Sequence, residues 1–268
     1  MSFRLAAAFQ KNQHFLLLVL DDAEQAAYFL NDFEQLLSSS EVLYFPASYR
    51  QPYALETTDN ANILLRAEVL KKLSTSKKPR VVVTYPQAIF EKLISHRTLK
   101  RIGLTLKKDS VVALSELNER LFEMGFERVD FVTEHGEFAV RGGIIDVFSF
   151  AYQHPYRIEF FDDTVERLSS FHVEDQRSVA AYDTIEILPD TSNLETTDQR
   201  RTILEFFPAN SSFIFGNLDK ITSKLKSFYE KANLTYTSTA VESQYPPETL
   251  FVSPQEWLDN CKEKSILL

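Results

Sequence analysis

Two hydrophobic rhythms divide the chain. In the first, short unbroken apolar runs alternate with stretches whose apolar residues return every three or four positions. Residues 3–11 read as a helix, and His14–Leu20 is an apolar run of the length and flanks expected for a buried strand. Asp21 or Asp22 can cap a helix along which Ala26, Ala27, Leu30, Phe33, Leu36 and Leu37 recur at helical spacing, stopped by Ser38, Ser39 and Ser40. Val42–Phe45 is the next strand, ending at Pro46. Asp59 or Asn60 can cap a helix through Leu73, and the Lys77-Lys78-Pro79 turn leads into a strand at Arg80–Thr84. Strands alternating with helices predict a layered α/β scaffold of mostly parallel strands.

The second rhythm begins after a short predicted helix, Ser115–Met124, closed by Gly125. Apolar and polar residues then alternate in Phe126–Thr133, Glu137–Arg141, Ile144–Phe148, Tyr156–Phe160 and Thr164–Phe171, the period of two expected of an antiparallel sheet with one face buried. Beyond Pro189 the first rhythm returns. A helix is predicted over Asp198–Phe206, a strand over Ser212–Phe215, a helix over Leu218–Ala232 and a strand over Thr249–Val252. A last helix is capped by Ser253, with Pro254 at its first position. The pattern therefore predicts three segments, residues 1–110, 111–190 and 191–268, the middle one an α+β domain inserted in an α/β scaffold.

Charge follows the same partition. The net charge of −9 over 268 residues separates into −5 for residues 1–60, +9 for 61–110, −11 for 111–190 and −2 for 191–268. Residues 111–190 contain no lysine, and their basic residues are all arginines, the side chain suited to planar, bidentate contact with carboxylates. The basic segment, with Lys71, Lys72, Lys77, Lys78, Arg80, Arg97, Lys100, Arg101, Lys107 and Lys108, admits three readings: a solvated face, a contact with an acidic domain, or weak contact with a nucleic-acid backbone. Aromatic residues that could stack on bases are not interleaved with it; Tyr49 and Tyr53 lie outside it and read as packing residues.

Several chemistries are excluded. The single cysteine, Cys261, permits no internal disulfide and no thiolate cluster. None of the six glycines precedes Gly103, so neither GxxxxGK[ST] nor GxGxxG is present to cradle a pyrophosphate. The five histidines never pair at helical spacing, so no local metal site is expected. The longest apolar run, Phe15–Leu20, is far short of a bilayer span, mean hydropathy is −0.21 and the start lacks a signal-peptide pattern, so a cytoplasmic protein is expected. No cofactor and no catalytic residue is predicted.

Strand periodicity points instead to a binding surface. In Tyr156–Phe161, residues Tyr156, Ile158 and Phe160 share one face, and Arg157, Glu159 and Phe161 the other. In Glu137–Arg141, Phe138 and Val140 are predicted inside, and Glu137, Ala139 and Arg141 outside. Arg141, Arg157 and Phe161 on one outer face form a candidate hot spot. Plainer readings compete: Phe161 covered by the chain's own loops, and each arginine a solvated partner of Glu137 or Glu159. Gly142-Gly143 reads as a tight turn or bulge, and Asp162-Asp163 as a hairpin turn in preference to a metal site.

Three stretches, HGEFAVRGGIIDVFSF (135–150), PYRIEFFDDTVERLSSFHVEDQRS (155–178) and FPASYRQPY (45–53), resemble the amino-terminal, UvrB-like part of the bacterial transcription-repair coupling factors. The resemblance is strongest over about 110–190. It implies three parts, 1A (1–110), 2 (111–190) and 1B (191–268), a degenerate helicase-like, P-loop-type scaffold carrying the inserted domain. Domain 2 would bind UvrA, with Arg141, Arg157 and Phe161 at the positions of the family's contact residues. The whole proteins of that family are ATP-driven DNA translocases that bind RNA polymerase and double-stranded DNA through other domains, so this chain would be a non-catalytic fragment of one. Ser2 falls about where the serine or threonine of UvrB's phosphate loop would lie, with no lysine before it. A UvrB or helicase fragment with an ATP- or DNA-binding role is the alternative. The missing phosphate loop, and the few residues between Pro52 and Ala61 where UvrB needs a long hairpin, count against it.

Overall fold

The computed structural model describes residues 1–48, 53, 60–94, 98, 101–149, 152, 154–188, 200–238 and 245–262. The chain divides into two compact units, Met1–Ser95 with Gln199–Leu268, and His96–Asp198. The segments flanking the insertion thus make one unit.

Unit 1 is built on a parallel sheet of β1 (Leu16–Val19), β2 (Val42–Phe45), β3 (Val81–Thr84) and β12 (Ser212–Phe215), in the order β12-β1-β3-β2. Central β1 is apolar at every position because both of its faces are covered, and it pairs Leu16 with Ser212 on one side and with Val81 on the other. Helices α1 (Ser2–Asn12), α2 (Ala23–Leu36) and α3 (Asn60–Thr75) occupy the predicted segments. The Asp22 carboxylate caps α2 by accepting from the Gln25 N–H at 2.9 Å, while the proposed cap Asp59 lies outside the described residues. α4 (Pro86–Ile89) follows β3. Beneath it a buried ion pair, Arg66–Glu91 at 2.7 Å, fastens the chain leaving β2: Arg66 donates to the Pro46 carbonyl, and Glu91 accepts from the Ser48 N–H and hydroxyl. Tyr53 packs as expected, edge-on to Phe251 at 5.2 Å, with its hydroxyl donating to the Tyr245 carbonyl. The other tyrosine of that reading, Tyr49, is outside the described residues.

Two predictions for the last segment are corrected. Over Asp198–Phe206 the described part holds no α-helix but a bridge at Arg201 and a 3-10 turn, Ile203–Phe206, closed by a capping box in which the Glu205 carboxylate accepts from the Thr202 N–H. The predicted strand Thr249–Val252 is instead the helical turn α7 (Pro247–Leu250), because Pro246-Pro247 presets helical entry and removes two ladder donors. Only Phe251 bridges, to Glu91. Between the two corrected segments α6 (Leu218–Ser238) runs longer than predicted, and α8 (Pro254–Lys262) starts at its predicted cap. Leu93 and Arg201, where the insertion departs and returns, exchange two backbone hydrogen bonds of 2.8 and 2.9 Å.

Unit 2 holds a six-stranded sheet of order β10-β9-β8-β7-β6-β5. Its strands are β5 (Glu127–Arg128), β6 (Glu137–Arg141), β7 (Ile144–Val147), β8 (Tyr156–Phe161), β9 (Thr164–Phe171) and β10 (Ser178–Tyr182). Every pairing is antiparallel except the short β5–β6 contact. Helix α5 (Leu114–Glu123) supplies Leu117 and Leu121 to a core with Phe138, Ile145, Val147, Tyr156, Ile158 and Leu168. A separate pair joins β4 (Leu104–Lys107) to β11 (Thr184–Ile187), Leu104 opposite Ile187. Residues 104–107, assigned from the pattern to the first segment, therefore belong to the inserted unit.

The predicted strand Phe126–Thr133 shrinks to β5. The Glu137 carboxylate accepts from the backbone N–H of Thr133 (2.7 Å) and Glu134 (2.8 Å), which draws that backbone into a turn and out of the ladder. Burial alone would disfavour the charge of Glu137, but these two N–H groups and the Thr133 hydroxyl outweigh it and hold the carboxyl below its usual range.

Candidate partner-binding site

The alternation in β8 is as predicted. Tyr156 and Ile158 are buried and Phe160 packs on the same core, while Arg157 is part-exposed and Phe161 is 71% exposed. Asp162, with φ of 52°, and Asp163 form the two-residue turn between Phe161 and its partner Thr164. Among the described residues no group of three or more histidine, cysteine or carboxylate side chains could hold a metal. Gly142-Gly143 likewise turns β6 into β7. Gly142 has φ of 60°, and a Cβ at position 143 would lie 3.0 Å from the Phe160 carbonyl oxygen, a close backbone approach that favours glycine.

The arginines are held by a residue that sequence reasoning missed. Asp146, on β7, is 1% exposed and sits opposite Ala139 on one neighbouring strand and Arg157 on the other. Its carboxylate accepts from Arg157 Nε at 2.7 Å and Nη2 at 2.8 Å, and from Arg141 Nη2. Neither arginine uses the predicted partners: Glu137 is engaged by backbone, and Glu159 faces Arg167 at 3.5 Å. Arg157 is fixed further by Gln176 Oε1 at 2.8 Å and by the Phe171 ring, 4.4 Å from its guanidinium carbon. The Asp146 hydrogen bonds raise the pKa of Arg157 above its ordinary value against the opposing effect of burial. Arg141 donates to the Asp130 carbonyl at 3.2 Å and lies 5.0 Å from the Phe131 ring centroid. Two cations are thereby set in one orientation around one buried anion on a part-solvated face.

Ala139, predicted outside, is 1% exposed. It forms a second small core with Val132 and Phe148, against which Val129 and Val173 pack, so this face is partly roofed by its own chain. Phe161 lies beyond that roof, beside Thr164 and the exposed Val111 bridged to it.

The structure separates the basic segment. Lys71, Lys72, Lys77 and Lys78 lie in unit 1 at the end of α3 and the turn into β3, whereas Lys107 and Lys108 lie in unit 2 at the end of β4. Arg66 and Arg80 are buried, and Arg97 and Lys100 lie outside the described residues.

Residues 104–192, which make up most of the inserted unit, match the family model of the UvrB interaction domain. Over nearly its full length the chain is, moreover, similar to transcription-repair-coupling factors. It is 27% identical to that of Haemophilus influenzae over 91% of this chain, 26% identical to that of Bacillus subtilis over 94%, and 33% identical to that of Rickettsia bellii over 70%. These matches cover 22%, 22% and 17% of the respective relatives, so the chain spans about a fifth of the length of the curated relatives it matches. No helix of the described residues is long and apolar enough to cross a membrane.

Proposed function

We propose that this chain is the UvrB-like module of a transcription-repair coupling factor, a non-catalytic recruitment surface that binds UvrA through unit 2 and so brings excision repair to a stalled RNA polymerase. The observation that carries the reading is the exposed Phe161 on the sheet face that also holds Arg141 and Arg157, within the stretch that matches the UvrB interaction domain. An exposed aromatic on the same sheet face as pre-oriented arginines is the composition of an interface hot spot. Because Asp146 has already fixed the guanidinium groups, little side-chain entropy remains to be lost when a partner's carboxylates or carbonyls meet them. RNA polymerase and double-stranded DNA would be partners of the whole protein through regions outside this chain.

Unit 1 is read as the degenerate, nucleotide-free helicase-like scaffold. In support, the Ser2 hydroxyl donates to Asp32 Oδ2 at 2.6 Å, so the one phosphate-loop-like hydroxyl is committed to a carboxylate. On this reading the two parts of unit 1 are 1A and 1B, both contributing strands to one parallel sheet, and unit 2 is domain 2.

The test is titration of the chain with purified UvrA. Wild type is expected to bind saturably, and Phe161→Ala to weaken binding about 30-fold, the equivalent of ~2 kcal/mol at a hot spot. Arg157→Ala, its fold verified by circular dichroism, is expected to lose a similar amount. Absence of wild-type binding would overturn the reading.

A further inference from the structure

Phe131 is the large apolar side chain nearest the arginine cluster that the fold does not need. It is 65% exposed, whereas the next residue, Val132, is 2% exposed and anchors the small core with Ala139 and Phe148. The backbone on either side is pinned: Asp130 offers its carbonyl to Arg141 Nη1, and the N–H groups of Thr133 and Glu134 are held by the Glu137 carboxylate. The ring is therefore presented from a fixed backbone, beside the Arg141 guanidinium at 5.0 Å from its centroid. An exposed phenylalanine held this way offers apolar area at a fixed place beside a cation, on the face that carries Arg157 and Phe161.

We propose that Phe131 is a second aromatic contact for the partner that docks on Arg141, Arg157 and Phe161. The inference rests on the recruitment reading and extends it. The register places Glu159, on the strand of Phe161, two strands from Arg141, about 10 Å away, with Phe161 ~7 Å further along β8. One protein surface of ordinary interface size spans both rings. The recognising chemistry is a carboxylate flanked by apolar side chains: the carboxylate meets Arg141, and the apolar groups cover Phe131, removing water from the ion pair and strengthening it. In the proposed function that surface belongs to UvrA.

Because Phe131 is exposed and outside every strand, its truncation leaves the fold intact. Titration of UvrA with wild type, Phe131→Ala, Phe131→Tyr, Arg141→Ala and the Phe131→Ala/Arg141→Ala double variant tests the inference, with Phe161→Ala in parallel. Phe131→Ala is expected to bind about tenfold more weakly with an unchanged melting temperature, and Phe131→Tyr to restore binding. The double variant is expected to lose less than the product of the single losses, because the two side chains act together. Phe131→Ala binding within twofold of wild type while Phe161→Ala loses affinity would overturn the role of Phe131 and leave the recruitment reading standing. No binding by wild type would overturn both. A change in self-association of Phe131→Ala with unaltered UvrA affinity would assign the ring to a second copy of this chain and overturn the proposal.

Discussion

Replacing Asp146 by asparagine keeps the side chain's shape and removes the charge shared by two arginines. The carboxylate makes two contacts to Arg157, at 2.7 and 2.8 Å, and a third to Arg141. Hydrogen bonds to charged groups contribute about 1.5–3 kcal/mol each, and breaking one side of a buried pair costs about 3–5 kcal/mol. The arginine side chains are 20% and 36% exposed, so both rehydrate in part, and the cost belongs below that range, at about 2–3 kcal/mol. The loss is confined to unit 2, which permits an internal control. The only tryptophan of the chain, Trp257, is buried in unit 1. Urea unfolding followed by far-UV circular dichroism is expected to show the unit 2 transition moved down by about 1–2 M, given slopes of about 1–3 kcal/mol per molar. Tryptophan fluorescence is expected to shift far less, by no more than the ~1 kcal/mol of loop-closure entropy that a folded unit 2 saves unit 1. A loss under about 0.5 kcal/mol in the dichroism transition would refute the assignment of Asp146 as the clamp of this face.

Two further expectations concern the same unit. The imidazole of His135 lies against the Phe148 ring with a nitrogen 2.9 Å from the Tyr152 carbonyl, and burial lowers its pKa from the ordinary 6.5 despite that hydrogen bond. Below about pH 6.5 the unfolded chain takes up a proton that the folded chain resists, so stability falls as pH drops through that range. His135→Gln is expected to flatten this part of the pH–stability curve, and a slope between pH 7 and 5 equal to that of wild type would exclude the mechanism. Gly142→Ala places a Cβ on a left-handed backbone and is expected to cost about 1 kcal/mol, read from the same dichroism transition; a neutral result would mean the turn relaxes freely.

How far the sequence carried the site depended on whether the deciding information was local. Alternation along β8 correctly separated Ile158 from Arg157 and Phe161, because side-chain direction in a strand is fixed by the pleat. The same arithmetic put Ala139 on the outer face but could not say that Val132 and Phe148 would cover it. Asp146 was the larger omission. In GGIIDVF it reads as one acidic residue in an apolar strand; only the register set by the Gly142-Gly143 turn and the β7–β8 pairing brings it opposite Arg157. The pairing of β4 with β11 was hidden for a related reason: LTLK and TIEI each alternate over four residues and find each other across most of the inserted unit. The corrected strand at Thr249–Val252 was locally legible, since Pro246-Pro247 already argued for a helical start.

The way the insertion is tied at both of its ends bears on how a nascent chain folds. Leu104 and Ile187 are paired inside unit 2, and Leu93 and Arg201 are paired inside unit 1. The parallel sheet receives its last strand, β12, only after the whole insertion has left the ribosome; until then one edge of β1 is open to mispairing. Unit 2 is encoded without interruption and can fold during that interval. Once it has folded, the loop that unit 1 must close shortens from roughly a hundred residues to two short connectors, a saving of about 1 kcal/mol in closure entropy. The inserted domain thereby acts as a folding aid to its host, and a lesion such as Asp146→Asn is expected to slow the burial of Trp257 during refolding while leaving its final environment unchanged.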